Sequence, residues 1–322
     1  MNYREMLKLG EARLKEAGID DYKLDAWYLF EYVTGFSKQD YFMEMNGEVS
    51  EQVQSRFERR IKRRSHREPL QYILGTQEFM GYEFVVNENV LIPRQDTENL
   101  VEEVNKIISS IRTSRAGKLT GTDAGTNAND GGCGSLDVLD MCTGSGCIII
   151  SLAAMNRDIT GTAVDLSKEA IAVARRNAIN NEVTDRVEFY EGDLFDAIRD
   201  NSDQKVVRVG LACVKTGPAK QSFDIIVSNP PYIPTAEISK LMPEVGKFEP
   251  LMALDGEEDG LYFYREIASE APDFLKENGY LAVEIGFNQG QDVREIFQNN
   301  GFMDVQVIKD YQDNDRIVVG HL

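Results

Sequence analysis

The chain is poor in the side chains from which many catalytic centres are built. Its 322 residues include two histidines, His66 and His321, and four cysteines, Cys133, Cys142, Cys147 and Cys213. No two cysteines are spaced C-x-x-C, so neither a zinc site nor a disulfide framework is implied, and no metal is expected. No run of eighteen apolar residues occurs, and Met1-Asn2-Tyr3-Arg4-Glu5 carries no apolar signal core. Neither a membrane span nor export is expected; the chain reads as reduced and cytoplasmic. Basic residues are scarce over most of the length. The net charge is −19, yet residues 1–75 carry thirteen Lys/Arg against thirteen Asp/Glu, so the remainder holds 22 bases against 41 acids. So acidic a remainder would repel a nucleic-acid backbone.

Against these absences stands Asn229-Pro230-Pro231-Tyr232, directly after the apolar run Phe223-Asp224-Ile225-Ile226-Val227-Ser228. The run reads as a buried strand. Each proline fixes its own φ and biases the residue before it toward extended backbone, so the tetrapeptide is a stiff bracket at a strand end. Asn229 offers a carbonyl oxygen and an NH2 group, and the Pro230 carbonyl is a second acceptor in fixed geometry. Together they can accept both protons of a substrate NH2. Asn-Pro also punctuates ordinary turns, and the rest of the chain decides between the two readings.

A glycine-rich turn lies upstream, in Val138-Leu139-Asp140-Met141-Cys142-Thr143-Gly144-Ser145-Gly146-Cys147, and the apolar Ile148–Ala154 follows it. This is the pattern of strand, tight turn and buried helix. Gly144 and Gly146 allow close approach of backbone to a ligand. Asp165 ends the next strand, nineteen residues after Gly146, where doubly wound folds place an acid on ribose hydroxyls. No Lys-Ser/Thr follows the glycines, which argues against a triphosphate-binding loop.

D-x-x-x-G-x-G, a ribose acid and Asn-Pro-Pro-Tyr, in that order, resemble an S-adenosylmethionine-dependent amino-methyltransferase. The resemblance is to the protein-(glutamine-N5) methyltransferases of peptide chain release factors (HemK/PrmC family). Pro69–Gly75 and Leu91-Ile92-Pro93-Arg94-Gln95-Asp96-Thr97-Glu98 resemble its entry motifs, Phe248-Glu249-Pro250, Ala253–Gly256 and Asp259-Gly260-Leu261 its later segment, and Val283-Glu284-Ile285-Gly286 with Gln289 its fifth strand. The chain departs from the family at Gln95 (usually Pro), Cys142 (usually Gly) and Glu257 (often Gly).

The resemblance implies transfer of a methyl group from S-adenosyl-L-methionine to the side-chain N5 of the glutamine in a Gly-Gly-Gln motif. Release factors would be the partners, with no direct nucleic acid and no membrane involved. Asn229, Pro230, Pro231 and Tyr232 would carry catalysis. Cys142, Thr143, Gly144, Ser145, Gly146, Asp165, Leu194 and Asn229 would hold the cofactor. Asp140 could fix the turn or contact ligand, and Glu284 could be a strand-end acid held by backbone. Alternatives are a glutamine methyltransferase of a ribosomal protein, an adenine-N6 DNA methyltransferase, or a non-catalytic sensor of the same cofactor.

The expected fold is α/β: a seven-stranded Rossmann-like class I methyltransferase sheet preceded by a small all-α N-terminal domain. Residues 1–75 would recognise substrate, 76–93 would form a β-hairpin linker, and 94–322 would be the methyltransferase domain. Tyr3, Leu7, Gly10 and Leu14 share one helical face closed by Gly18, and a helix from Asp21 carries Leu24, Trp27, Tyr28 and Leu29. Ser50 can cap the next long helix, which points Val53, Phe57 and Ile61 inward. Its basic run (Arg59, Arg60, Lys62, Arg63, Arg64, with Arg67) reads either as a solvated face or as a docking patch for an acidic protein. Asp96 or Thr97 should cap a helix bearing Leu100 to Ile111. Strands are expected at 136–142, 160–165, 186–191, 223–228, 280–285, 304–309 and 316–320, with helices at 167–181, 261–278 and 289–299. The last two strands, joined by a short linker, should pair antiparallel. Stretches 113–135 and 201–221 read as surface insertions.

Overall fold

The computed structural model of the chain describes residues 1–119, 135–199 and 222–322, with 117–119 described by backbone alone. Cys133, Cys213, the 201–221 insertion and most of the 113–135 insertion lie outside the described residues. The chain forms two compact units. The first comprises Met1–Thr76, Val86–Glu88 and Ser239–Glu249; the second comprises Gln77–Val85, Asn89–Ile238 and Pro250–Leu322.

Helices make up the first unit: α1 (Tyr3–Glu16), α2 (Tyr22–Thr34), α3 (Lys38–Glu44), α4 (Glu51–Ser65) and α5 (Leu70–Leu74). Asn2 starts α1 with a capping box shared with Glu5, and the left-handed Gly18 (φ 72°) follows its end. Ser50 accepts the Val53 N–H and caps α4. Met6, Leu14, Leu29, Phe30, Phe57 and Ile61 fill the core, each worth about 1.5–3 kcal/mol of apolar burial. Leu24 and Tyr28 face outward on α2; Ala26, Phe30 and Val33 join Leu29 on its buried face.

The basic run of α4 is largely engaged in internal pairs. Arg64 is buried, donating to Asp25 Oδ2 at 2.6 Å and Glu244 Oε1 at 3.0 Å. Arg67 reaches Glu244 at 2.9 Å, Arg63 pairs with Glu68, and Arg60 lies over the Tyr32 ring. Arg59, Lys62 and Arg63 are exposed and keep the character of a solvated face, whereas Arg64 is a buried structural cation.

The second unit opens with a hairpin, β1 (Thr76–Phe79) and β2 (Tyr82–Val85), then α6 (Gln95–Leu119). Alternation follows: β3 (Leu136–Met141), α7 (Cys147–Met155), β4 (Ile159–Asp165), α8 (Lys168–Asn180), β5 (Val187–Glu191), α9 (Asp196–Arg199) and β6 (Phe223–Ser228). Short helices α10 (Thr235–Ile238) and α11 (Pro243–Phe248) precede α12 (Tyr262–Phe274), β7 (Leu275–Glu284), α13 (Gly290–Asn299), β8 (Met303–Lys309) and β9 (Asp315–His321). Of these, α11 belongs to the first unit.

The seven-stranded sheet has the order β5-β4-β3-β6-β7-β9-β8. Strands β3 to β7 pair in parallel, and β9 runs antiparallel to both β7 and β8. Alternation sends Leu136 and Val138 to one face, with α6, α7 and α8, and Leu139 and Met141 to the other, with α9, α12 and α13. This is the expected α/β architecture. Two boundaries differ from expectation. Helix α12 ends at Phe274 and the strand begins at Leu275, because Leu275 already pairs with Phe223 across a register shift. Helix α6 runs on through Thr113 to Leu119, and Arg115 on it forms an ion pair with the buried Asp224. Among the described residues no helix is long and apolar enough to cross a membrane.

Candidate active site

The order reverses between β3 and β6, so the chain after each emerges side by side: Met141 pairs with Ser228, and Ser228 Oγ donates to the Met141 carbonyl at 2.7 Å. The glycine turn and Asn229 therefore meet although more than eighty residues separate them in sequence. Both border a cavity of about 540 Å³ within the second unit.

Backbone geometry shapes the turn. Cys142, Gly144 and Gly146 all have left-handed φ, at 58°, 55° and 80°. Glycine takes this conformation freely and an L residue does not, so Cys142 is held there at a cost of about 1–2 kcal/mol. A Cβ on Gly144 would meet open space, whereas one on Gly146 would come within 2.6 Å of Ile150 Cδ1. Gly144 thus leaves room for a ligand, and Gly146 leaves room for α7. Beneath the turn, Asp140 is fully buried and its Oδ2 accepts the Thr143 hydroxyl at 2.6 Å. Asp140 does not border the cavity, and of its two readings it takes that of fixing the turn. Burial pushes its carboxyl up to about 7, against the hydrogen bonds that favour the charge.

Asp165 closes β4 at the cavity wall. Its Oδ2 accepts the Gly144 N–H and its Oδ1 the Ser167 N–H, both at 2.8 Å. Burial raises its pKa, and the two N–H bonds oppose that. Each oxygen retains a lone pair for a diol hydroxyl. Leu194, also left-handed at φ 41°, lines the same cavity. Of the sequence-derived cofactor set, Cys142, Thr143, Gly144, Ser145, Asp165, Leu194 and Asn229 line the cavity and Gly146 lies behind it. A nucleoside, with its base face on Leu194 and its ribose diol on Asp165, fits this donor, acceptor and apolar set.

Asn229 is half-buried, and its Nδ2 donates to Thr97 Oγ1 at 3.2 Å. Pro231 lines the cavity; Pro230 is buried behind it. Tyr232 is not among the lining residues. Its hydroxyl points to Glu284 Oε1 at 3.5 Å, and burial raises its pKa. Gln289 holds the bracket from behind: its Nε2 donates to the Tyr232 carbonyl at 3.0 Å and the Gly260 carbonyl at 3.1 Å. Its Oε1 accepts the Gly286 N–H at 2.8 Å.

Thr97, Leu166, Phe263 and the Leu251–Ala253 turn also line the cavity, and residue chemistry alone did not single them out. For Thr97 the available signal was its place in the Pro93-Arg94 motif. For Leu166 it was adjacency to the ribose acid. Phe263 carries no signal, since aromatics at helical spacing are ordinary core.

A family profile described as "PrmC N-terminal domain" matches residues 5–75, and one described as "Methyltransferase domain" matches 134–310. The chain is 36% identical over 319 residues to the release factor glutamine methyltransferase of Geobacter sulfurreducens, covering 99% of this chain and 96% of that protein. It is 37% identical to the bifunctional methyltransferase of Rickettsia felis, covering 98% of this chain and 57% of that longer protein. Among solved structures, the hMettl16 catalytic domain in complex with MAT2A 3'UTR hairpin 6 superposes with a TM-score of 0.51 at 15% identity, covering 90% of this chain and 91% of that one. That likeness concerns the fold alone. The sheet order, the glycine turn meeting Asn-Pro-Pro-Tyr at one cavity, and full-length identity above a third converge: the chain belongs to the release factor glutamine methyltransferase family.

Proposed function

We propose that this protein methylates the side-chain amide nitrogen of the glutamine in the Gly-Gly-Gln motif of peptide chain release factors, with S-adenosyl-L-methionine as donor. The observation that carries the reading is Asn229: it lines the cavity with its NH2 donating to Thr97, so its carbonyl oxygen is the end left to accept a substrate N–H. A site built to accept protons there suits a substrate NH2.

The cofactor, when bound, supplies an electrophilic methyl group on a sulfonium. Asp165 would accept the ribose hydroxyls, Thr143 to Ser145 would follow the methionine part, and Leu194 would pack on the adenine. An amide nitrogen is a poor nucleophile, because its lone pair is delocalised into the carbonyl. Asn229 Oδ1 and the Pro230 carbonyl would each accept one N–H, directing that lone pair and favouring a pyramidal nitrogen. The cofactor would depart as a neutral thioether, and the nitrogen would release one of the two protons held by Asn229 Oδ1 and the Pro230 carbonyl, which would pass to solvent. Orientation of this kind is worth up to ~7–11 kcal/mol. Tyr232 does not line the cavity itself; its carbonyl is held by Gln289, and its ring would wall the substrate beside the bracket.

Residues 1–75 would serve substrate recognition, 76–93 would be a hairpin linker and 94–322 would carry catalysis, in the cytoplasm. The acidity of the chain beyond residue 75 argues against DNA. The test is labelled methyl transfer with release factor, ribosomal protein and duplex DNA offered in parallel. Label on the release factor alone is expected; label on DNA or ribosomal protein alone would replace the reading.

A further inference from the structure

Asparagine suits the middle of a buried helix face poorly, since it disfavours the helix interior and is seldom wholly buried. Helix α8 nevertheless carries Asn177 with no exposure, on the same face as the buried alanines Ala174 and Ala178. Its amide is fully used. Oδ1 accepts the Val85 N–H at 2.7 Å, and Nδ2 donates to the Val85 carbonyl at 3.1 Å. The side chain thus pairs with Val85 in both directions, as the peptide of a neighbouring strand would. The second Nδ2 proton goes to the Ser145 carbonyl at 2.9 Å. These partners fix the amide's orientation, because a reversed amide would set donor against donor at Val85 and acceptor against acceptor at Ser145.

Ser145 lines the cavity and Val85 does not. Val85 ends β2, and the chain beyond it returns to the cavity wall at Asn89, Val90 and Leu91. The glycine turn needs a hold of this kind, since Gly144 and Gly146 put few steric limits on rotation of the peptides between them. In the Ser145–Gly146 peptide the carbonyl is taken by Asn177, and the N–H donates to the Thr143 carbonyl at 2.8 Å. That peptide cannot rotate without breaking both bonds. We propose that Asn177 is a positioning residue for the cofactor: acting through the Ser145 carbonyl, it holds the glycine turn ready for binding and couples it to β2. A turn already ordered loses less freedom when ligand arrives, and the difference appears as affinity. This deepens the proposed function and rests on its assignment of the cavity to S-adenosylmethionine.

The test uses the full chain with Asn177→Leu, which keeps the branched shape of the side chain and removes all three hydrogen bonds. By calorimetry, Kd for S-adenosylmethionine is expected to rise about tenfold, the equivalent of about 1.4 kcal/mol. In methyl transfer its KM should rise by a similar factor, with kcat at saturating cofactor within about twofold of wild type. A residue that served stability alone would lower the thermal midpoint and leave Kd unchanged, and that result overturns the inference. The control is Asn181→Ala, just past the end of α8, which removes a bond to the Glu83 carbonyl of β2 (3.2 Å) without touching the glycine turn. Its Kd should match wild type; an equal rise there also overturns the inference. Should the leucine variant not fold, hydrogen exchange in wild type decides. Saturation with S-adenosylmethionine should slow the Val85 amide about tenfold relative to that of Val86, whose N–H is held by the Gly75 carbonyl at 3.1 Å instead. An equal change at the two amides overturns the coupling. Wild type that binds no S-adenosylmethionine would refute the cofactor assignment itself, and the inference with it.

Discussion

Asp140 provides a stability prediction that can be worked to a number. Its carboxyl sits under the glycine turn with no exposure, one oxygen on Thr143 and the other without a hydrogen bond. Burial lifts its pKa from 3.8 to about 7. A raised acid pKa means that the folded chain holds the proton more tightly than the unfolded one. The associated stability is complete below the unfolded value and is lost as pH rises through the folded value. Between about pH 5 and pH 8 the loss amounts to about 3 kcal/mol. Asp140→Asn cannot ionise, and its side-chain oxygen can still accept from Thr143. Urea unfolding of both proteins at each pH gives the difference directly, with contributions from Glu284 and other groups cancelling between them. The wild type is expected to lose about 3 kcal/mol more than the variant on going from pH 5 to pH 8. Equal pH dependence in the two proteins would refute the reasoning.

Asn229→Ala should bind S-adenosylmethionine nearly as well as wild type, by calorimetry, while methyl transfer falls by about a hundredfold or more; equal loss of both would sink the bracket mechanism. Burial also raises Glu284 to about 7. Its stabilising contribution is likewise present below the unfolded value and lost as pH rises through about 7, so Glu284→Gln should flatten the fall in stability between pH 5 and pH 8 in urea unfolding, and an unchanged slope would refute the shift. Gly146→Ala places a Cβ at φ 80° against Ile150 and should destabilise the fold by about 1–3 kcal/mol in thermal melts. Arg64→Met leaves Asp25 and Glu244 without their buried cation and should cost about 3–5 kcal/mol in urea unfolding.

The sheet was legible because its signals are local and repeated. Short apolar runs such as Phe223–Ser228 alternate with amphipathic segments, and a glycine turn or a proline pair marks where strands stop. The end of α12 was less legible: Lys276-Glu277-Asn278-Gly279 reads as helix end and turn, whereas Leu275 is drawn into the strand by pairing with Phe223. The turn, Asp165 and Asn229 could be read as cavity residues because D-x-x-x-G-x-G and Asn-Pro-Pro-Tyr carry their geometry in the backbone. Thr97 could not. As a residue near a helix start it looks like a cap, yet α6 begins at Gln95 and the hydroxyl serves a partner 132 residues away. The same holds for Arg64, one base in a basic run, whose partners Asp25 and Glu244 come from α2 and α11. Side chains that bond across long sequence separations leave no periodic trace.

The most direct measurement locates the transferred methyl group. Purified release factor, incubated with the protein and S-adenosylmethionine, is digested and the peptide bearing Gly-Gly-Gln is fragmented in a mass spectrometer. One methyl group on the side-chain amide nitrogen of that glutamine, lost when Asn229 is replaced by alanine, is the expected result. A methyl group on any other atom, or on the same atom at an undiminished rate without Asn229, would contradict the account.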